Sequence, residues 1–359
     1  MSPSEHDLVE LCRTLCSVES VIGNEGPLAD FVVDYAASMG RGRWPLRRLG
    51  NNLVFGLPLR PSTPLVCLLG HLDTVPGDCP PAFIDGDRLV GLGASDMKSG
   101  LAIMLSLMAR HEPSTLPVDL AFVFYDREEG PYLENGLGPT LESLEWRSKI
   151  DLAICLEPSA NRLQLGCLGT LHARLTFRGR RAHSARPWEG HNAIHQASPV
   201  LAKLAAQTPI PIELGGLVYR EVMSATLARG GTARNVVPEV FELNVNYRFA
   251  PGRTTESARA EVEALVAGAA DVEFLDVSPS GGVPKGNPLV DRLVALCGRP
   301  PEAKQAWTDV ARLSMLGIDA CNLGPGEPAQ AHQLGEFVPV SNLIEGLELF
   351  DRFLSSGAG

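Results

Sequence analysis

Apolar positions along the first 165 residues fall into two textures. LVELCRTLC and residues 26–39 (GPLADFVVDYAASM) repeat apolar side chains at helical spacing. Short apolar runs at 52–56, 64–69, 119–125 and 152–156 predict strands instead. Between the second and third of these, MKSGLAIMLSLMARH reads as a helix with Asp96 just ahead of it. Strands alternating with helices predict an α/β layer fold with a mixed, mainly parallel sheet. From about Leu171 the pattern changes: LHARLTFRG alternates apolar and polar residues, as a half-buried strand does. HNAIHQASPVLAKLAAQ then returns to helical period, followed by strand-like MSATLARGG and FELNVNYRFA, helical SARAEVEALVAGA and strand-like DVEFLDV. That β-α-β-β-α-β order is the ferredoxin-like arrangement. After Ser280 the α/β texture resumes with PLVDRLVALC, VARLSMLG and DACNLGPG. Residues 171–280 are therefore expected to form an α+β domain inserted into a discontinuous α/β domain made of 1–170 and 281–359.

Composition narrows the partners. A chain of 359 residues with 45 % hydrophobic and 20 % charged residues is of ordinary globular make-up and long enough for about two domains. No run of 18 apolar residues exists, which removes a membrane span, and MSPSEHDLVELCRTL lacks the layout of a signal peptide. A cytoplasmic location is the expectation. The formal net charge of −11 argues against nucleic acid, whose phosphates need clustered Lys and Arg. The eight cysteines contain no C-x-x-C pair, and Cys67 and Cys155 sit in apolar runs, so reduced and mostly structural thiols are expected.

The chemistry-bearing residues lie directly after the apolar runs. PLVCLLG leads into His71 and Asp73, DLAFVFYDR into Glu128 and Glu129, and DLAICL into Glu157. Open α/β sheets bind ligands beyond the carboxyl ends of their strands, so three strand ends would deliver these groups to one rim. Asp96 closes the Gly-rich turn GLGAS. Taken singly, each residue has an ordinary explanation: a surface histidine, a solvated glutamate pair, a helix N-cap. Gathered at one rim, the carboxylates would repel one another unless protons or metal ions intervened, and His with carboxylate suits zinc. In an extended segment His71 and Asp73 share a face, so Asp73 could accept the second imidazole N–H. Of Glu128 and Glu129, which cannot point the same way in extended chain, one could bind metal while the other acts as base.

GHLDTVP, GLGASDMKSG, the Glu128-Glu129 pair, LEPS and AHQLGEFVPV, in this order, resemble the co-catalytic zinc aminoacylase and carboxypeptidase family. The resemblance implies a zinc-hydrolase catalytic domain with an inserted ferredoxin-like lid and dimerisation domain. It implies two Zn2+ per chain, with Co2+ a possible substitute, held by His71, Glu157, Glu129 and His332 and bridged by Asp96. It also implies Glu128 as general base and Asp73 as the residue orienting His71. His332 follows Glu157 by 175 residues, and only the resemblance selects it among the eight histidines. RAHSARPWEGHNAIH resembles the family's lid motif, which makes His183 the group that polarises the scissile carbonyl in a neighbouring protomer's site. A homodimer through the lid is the corresponding expectation. Asn235 and Arg248 match lid positions that contact substrate, with Thr308 and Arg312 as candidates on the catalytic side.

Within the family, RAHSARPWEGHNAIH, GLVYREVMSA, NYRFAPGR and AWTDVARLSMLGI resemble the actinobacterial type of succinyl-diaminopimelate desuccinylase. Removal of an N-succinyl group from a small anionic N-acylated amino acid is the implied reaction. Acetylornithine or other N-acyl-amino-acid deacylation, dipeptidase or carboxypeptidase activity, and a non-catalytic binding role on the same fold are the alternatives. Charge partitions accordingly. Residues 171–280 carry 12 Lys and Arg against 11 Asp and Glu, and the remainder carries 19 against 31. The acidity belongs to the expected metal-binding domain. Arg174, Arg178, Arg180, Arg181 and Arg186 crowd the start of the lid, as suits an anionic substrate.

Overall fold

The computed structural model describes residues 3–39, 42–56 and 60–355. The chain divides into two compact units, one of Met1–Gly166, Val283–Glu302 and Thr308–Gly359, the other of Cys167–Gly282 and Ala303–Trp307. These divisions differ by a few residues from those expected, for identifiable reasons. Strand Gly169–Arg178 starts ahead of Leu171 and pairs with Val240–Phe249 from its first residue. The backbones of Cys167 and Gly281 exchange two hydrogen bonds, at 3.2 and 3.0 Å. Residues 303–307 join the second unit because the Gln305 amide bonds the backbones of Val218 and Arg220, while the Trp307 indole N–H donates to Pro279 O at 3.1 Å.

The first unit is built on an eight-stranded sheet, of which it holds every residue but Ala303. Its order is Leu46–Leu49, Asn52–Phe55, Asp119–Tyr125, Leu65–His71, Ile150–Cys155, Ala320–Asn322, Gln164–Leu165 and Glu302–Ala303. The third to sixth of these are parallel, and antiparallel pairs flank them. Every residue of Leu65–His71 and Asp119–Tyr125 is buried. That burial explains why both strands read as continuous apolar runs rather than alternating ones. Helix Ser99–Arg110 is also almost wholly buried. Two glycines let its start press against the strand ends. A Cβ on Gly70 would lie 2.6 Å from Leu101 Cδ2, and one on Gly100 would lie 2.6 Å from Leu156 O.

This unit also holds elements outside the expectation. Hairpin Phe83–Asp85 and Arg88–Val90 pairs with Phe337–Pro339 in a small sheet, and its turn carries Gly86 at φ 59°. Helix Val340–Ser355 closes the chain on an apolar stripe that includes Leu343, Leu347, Phe350 and Leu354.

The second unit is a five-stranded antiparallel sheet in the order Ile210–Leu214, Leu217–Gly230, Val240–Phe249, Gly169–Arg178 and Asp271–Ser278. One face buries Leu171, Ala173, Leu175, Phe177, Leu243 and Val245 with helical residues such as Val200 and Val262. The helix expected over 191–207 is two, Ala193–Gln196 and Ser198–Ala206, the second with Pro199 in its first turn. An edge strand, Ile210–Leu214, is added to the ferredoxin-like order. Its exposed residues and Pro211 lack the alternation that marks the other strands. All eight cysteines are free. Among the described residues no helix is long and apolar enough to cross a membrane.

Candidate metal centre

His71 ends its strand, and in the parallel register it stands opposite Tyr125, the last residue of the neighbouring strand. Glu128 and Glu129 follow Tyr125 by three and four residues, and Glu157 follows Cys155 by two. All sit at carboxyl ends of central strands, where backbone leaves the ladder and side chains can converge. Asp96 arrives from a different direction. It lies in a tight turn, Ala94–Lys98, with φ −119° and ψ 92°, and a cis peptide bond joins it to Met97. The helix that follows starts from Lys98 without any side-chain cap. Asp96 therefore does not serve as the N-cap of that helix; its carboxylate meets the imidazole instead.

The His71 ring, 1 % exposed, holds the cluster's centre. Its Nε2 lies 3.2 Å from Asp96 Oδ1 and 3.9 Å from Glu157 Oε1. On the other side Nδ1 is 2.9 Å from the Asp73 backbone oxygen and 3.5 Å from Asp73 Oδ1. The Asp73 carboxylate does more than face the ring. Its two oxygens accept the backbone N–H groups of Glu128 and Glu129 at 3.0 and 2.9 Å. One buried acid thereby fixes both a histidine and the loop bearing two glutamates. His332 Nε2 completes the group, 3.0 Å from Glu129 Oε1 and 3.9 Å from Asp96 Oδ2.

Among the described residues, three sets of donor atoms lie within 4.8 Å of one another: His71 with Asp96 and Glu157, Asp96 with Glu129 and His332, and His71 with Glu128 and Glu129. Asp96 belongs to the first two. Imidazole nitrogen and carboxylate oxygen are donors that divalent transition metals take, so the first two sets fit a pair of cations sharing Asp96. The electrostatics agree with that fit. Burial, then the charges of Glu157 and Glu129, push the Glu128 carboxyl well above the usual carboxylate range, with His71 opposing. Burial works against a charged His71, yet hydrogen bonds with Asp73 and Asp96 outweigh it and raise its proton affinity. At His332 the Glu129 hydrogen bond leads the same upward shift. Carboxylates massed around two imidazoles bind cations, whether protons or metal ions.

The remaining candidates distribute between the units. Thr308, in the first, is buried. Arg312, on helix Val310–Met315, donates from Nε to Asp309 Oδ1 at 3.0 Å and from Nη2 to Tyr132 O at 2.7 Å. Its guanidinium also lies 4.1 Å from the Tyr132 ring centre. Asp309 is fully buried and accepts Asn135 Nδ2 at 2.8 Å as well. In the second unit, His183 is exposed on the short ribbon with Val236–Val237. Asn235 is exposed too, and its backbone oxygen accepts Ser184 N–H at 2.9 Å. Arg248, on Val240–Phe249, donates from Nε to Asn246 Oδ1 at 3.1 Å. Asp309 and Glu336 carry no local mark, because within WTDVARL and AHQLGEFVPV neither differs from any acid near a candidate ligand.

The model of peptidase family M20/M25/M40 matches residues 67–356, a span that takes in every donor of the cluster. The chain belongs to this family. Members of peptidase family M20/M25/M40 are metal-dependent hydrolases of amide bonds, in keeping with the donor sets above. The chain is 40 % identical over 353 residues to a Mycobacterium tuberculosis protein named for succinyl-diaminopimelate desuccinylase, DapE, covering 97 % of this chain and 98 % of that one. It is 36 % identical over 357 residues to the succinyl-diaminopimelate desuccinylase of Corynebacterium glutamicum, covering 97 % and 96 %. The fold is similar to that of aminopeptidase PepT from Bacillus cereus, with a TM-score of 0.78, 20 % identity and 98 % of each chain covered. It also resembles the M20 metallo-carboxypeptidase Sso-CP2 of Sulfolobus solfataricus, with a TM-score of 0.74, 15 % identity and 99 % of each chain covered.

Proposed function

We propose that this chain is a cytoplasmic di-zinc amidohydrolase that removes the N-succinyl group from N-succinyl-LL-2,6-diaminopimelate. One observation carries the reaction class: Asp96 stands in two donor sets at once, with Glu128 beside them. Similarity over nearly the whole chain to proteins named succinyl-diaminopimelate desuccinylase supports the choice of acyl group. In this reading His71 and Glu157 would hold one ion and Glu129 and His332 the other, with Asp96 available to both sets. Bound zinc, or Co2+ in its place, supplies Lewis acidity and brings water toward hydroxide near neutral pH.

The chain's own groups do the rest. Asp73 holds the His71 ring and the backbone of both glutamates, so the base and one ligand keep a set spacing. Glu128 takes the proton of the attacking water and returns it to the leaving amine. His183 is the oxyanion donor. The N–H of Ala185 donates to its Nδ1 at 3.0 Å, which leaves the proton of the neutral ring on Nε2, free to donate to an anionic oxygen. In the homodimer we propose, that donor serves the neighbouring protomer. Asn235 and Arg248 are assigned to substrate carboxylates, for which Arg is the natural clamp. Thr308 and Arg312 are assigned to the catalytic side, Arg312 through its hold on Asp309 and Tyr132.

The decisive experiment compares kcat/KM for N-succinyl-diaminopimelate, N-acetylornithine and a set of dipeptides on zinc-loaded enzyme. Preference for the succinylated compound is expected. Preference for either other class overturns the substrate while leaving amide hydrolysis standing, and a loaded protein that hydrolyses none of them returns the chain to a binding role. Light scattering tests the dimer, and a monomer removes the role given to His183.

A further inference from the structure

The donor closest to both sets, Asp96, comes from a loop rather than a strand end, and so does His332. Neither loop has a sheet ladder to set its position. The carboxylate of Glu336, 4 % exposed, joins them. Its Oε2 accepts the Gly93 N–H at 2.8 Å, and its Oε1 accepts the N–H groups of Ser95 and Asp96 at 2.7 and 2.8 Å. Three backbone donors around one carboxylate form an anion nest, and hydrogen bonds to a charged acceptor are roughly twice as strong as neutral ones. The Glu336 backbone adds to the hold, its oxygen accepting Gly91 N–H at 3.0 Å.

Neighbouring contacts knit the same two loops. Ser95 Oγ donates to Phe337 O at 2.7 Å and accepts Glu327 N–H at 3.0 Å. Strand Phe337–Pro339, which begins directly after Glu336, pairs with Arg88–Val90, which ends directly before the Gly91 turn. Glu336 therefore sits where the segment bearing Asp96 and the segment bearing His332 leave a common sheet. Its own oxygens are committed to backbone donors, and it belongs to none of the donor sets.

Resting on the two-cation reading above, we infer that Glu336 is a positioning residue for the cation pair. It sets where the Asp96 carboxylate stands and anchors the His332 segment four residues away. Removing its charge frees the Asp96 peptide to rotate, which disturbs a bridging ligand before it disturbs substrate. A glutamine keeps the shape but turns an NH2 group toward at least one of three N–H donors, which is a donor-to-donor clash.

The test titrates Co2+ into metal-stripped full-length protein, without substrate, for the wild type, Glu336→Gln, Glu336→Asp and Asp87→Asn. The last is a structural control, because Asp87 caps Ser341 N and Oγ beside the same strand without touching either metal-bearing loop. Glu336→Gln is expected to weaken Co2+ binding at least tenfold and to change the visible absorption of the cobalt sites. In the zinc enzyme it should lower kcat at least tenfold with KM nearly unchanged. Glu336→Asp is expected to fall between it and the wild type, and Asp87→Asn to match the wild type in cobalt binding. Should Glu336→Gln fail to fold, weaker Co2+ binding by Glu336→Asp supports the role and wild-type binding by it overturns the role. Wild-type cobalt affinity and spectrum in a folded Glu336→Gln protein also overturn it. Wild-type protein that binds no Co2+ overturns the two-cation reading itself, so the two failures are told apart.

Discussion

The two sheets solve different problems. Central strands of the first unit are buried along their whole length, as in Leu65–His71 and Asp119–Tyr125. Strands of the second, such as Gly169–Arg178 and Val240–Phe249, alternate buried and partly exposed positions. A sheet covered on both faces has no room for charge along its strands, because an unpaired buried charge is costly. Its chemistry is forced to the strand ends, and His71, Glu128, Glu129 and Glu157 all lie there. A sheet with one open face can carry polar side chains along its length, and His172, Arg174, Asn244, Asn246 and Arg248 occupy such positions. Ends of covered strands concentrate a few groups at one point, whereas an open face spreads many groups over an area. The first arrangement can gather the ligands of a metal ion, and the second leaves charges of both signs to pair across the face, as Arg174 does with Glu273.

If strand ends carry the chemistry, the largest effect belongs to Glu128. Replacement by Ala is expected to lower kcat by about 10²–10⁴-fold, the usual worth of a positioned general base. Elemental analysis should still find the wild-type metal content, and a variant with near-wild-type turnover removes the base assignment. Along the covered strands the effect should fall on stability instead. Leu69 is fully buried two residues before His71, so Leu69→Ala is expected to cost about 2–5 kcal/mol in denaturant unfolding. Its kcat per folded molecule should stay close to wild type. A large drop in kcat with little loss of stability would erase the contrast between strand interior and strand end.

The open face should be far more tolerant. Arg178 and Asp271 pair at 2.6 Å with both side chains about two-thirds exposed. Arg178→Ala is expected to change unfolding free energy by no more than about 0.2–1 kcal/mol, and to change it less at high salt. The smallest effect concerns His172. Burial, then the nearby Arg248 charge, holds its imidazole below the ordinary histidine value. The unfolded chain therefore takes up the proton first on acidification. His172 contributes stability above its unfolded pKa, and that contribution is lost as pH falls through about 6.5 toward the lower folded value. His172→Gln should flatten the melting temperature across pH 7 to 5 relative to wild type, and an unchanged slope contradicts the shift.

Legibility in the sequence followed the same division. Strands 64–69 and 119–125 could be read because complete burial makes an apolar run conspicuous, and the alternation in LHARLTFRG exposed a half-covered strand equally well. Ile210–Leu214 could not be read, since an exposed edge strand containing Pro211 needs no apolar period. Gly86-Asp87, the two residues between Asp85 and Arg88, are a hairpin signal and the stripe of helix Val340–Ser355 has helical period, so both elements carry local marks. At the site, residues near strand ends stood out by position alone. His332 required the family resemblance. Asp73 was expected to face the imidazole, while its two backbone acceptances from Glu128 and Glu129 depend on a loop 55 residues away.

Local pattern along the chain carries the two textures, the order of elements and the placing of His71, Asp73, Glu128, Glu129 and Glu157 directly after buried strands. Periodicity and burial are local, so a chain records them residue by residue. Folding alone settled that Asp96 turns toward His71 instead of capping its helix. It also decided that Glu129 meets His332 and that Glu336 receives the backbone of residues 93–96. The first is a meeting of two side chains across 203 residues and the second of backbone with a side chain across about 240, and no period along the chain encodes which distant segments close upon one another.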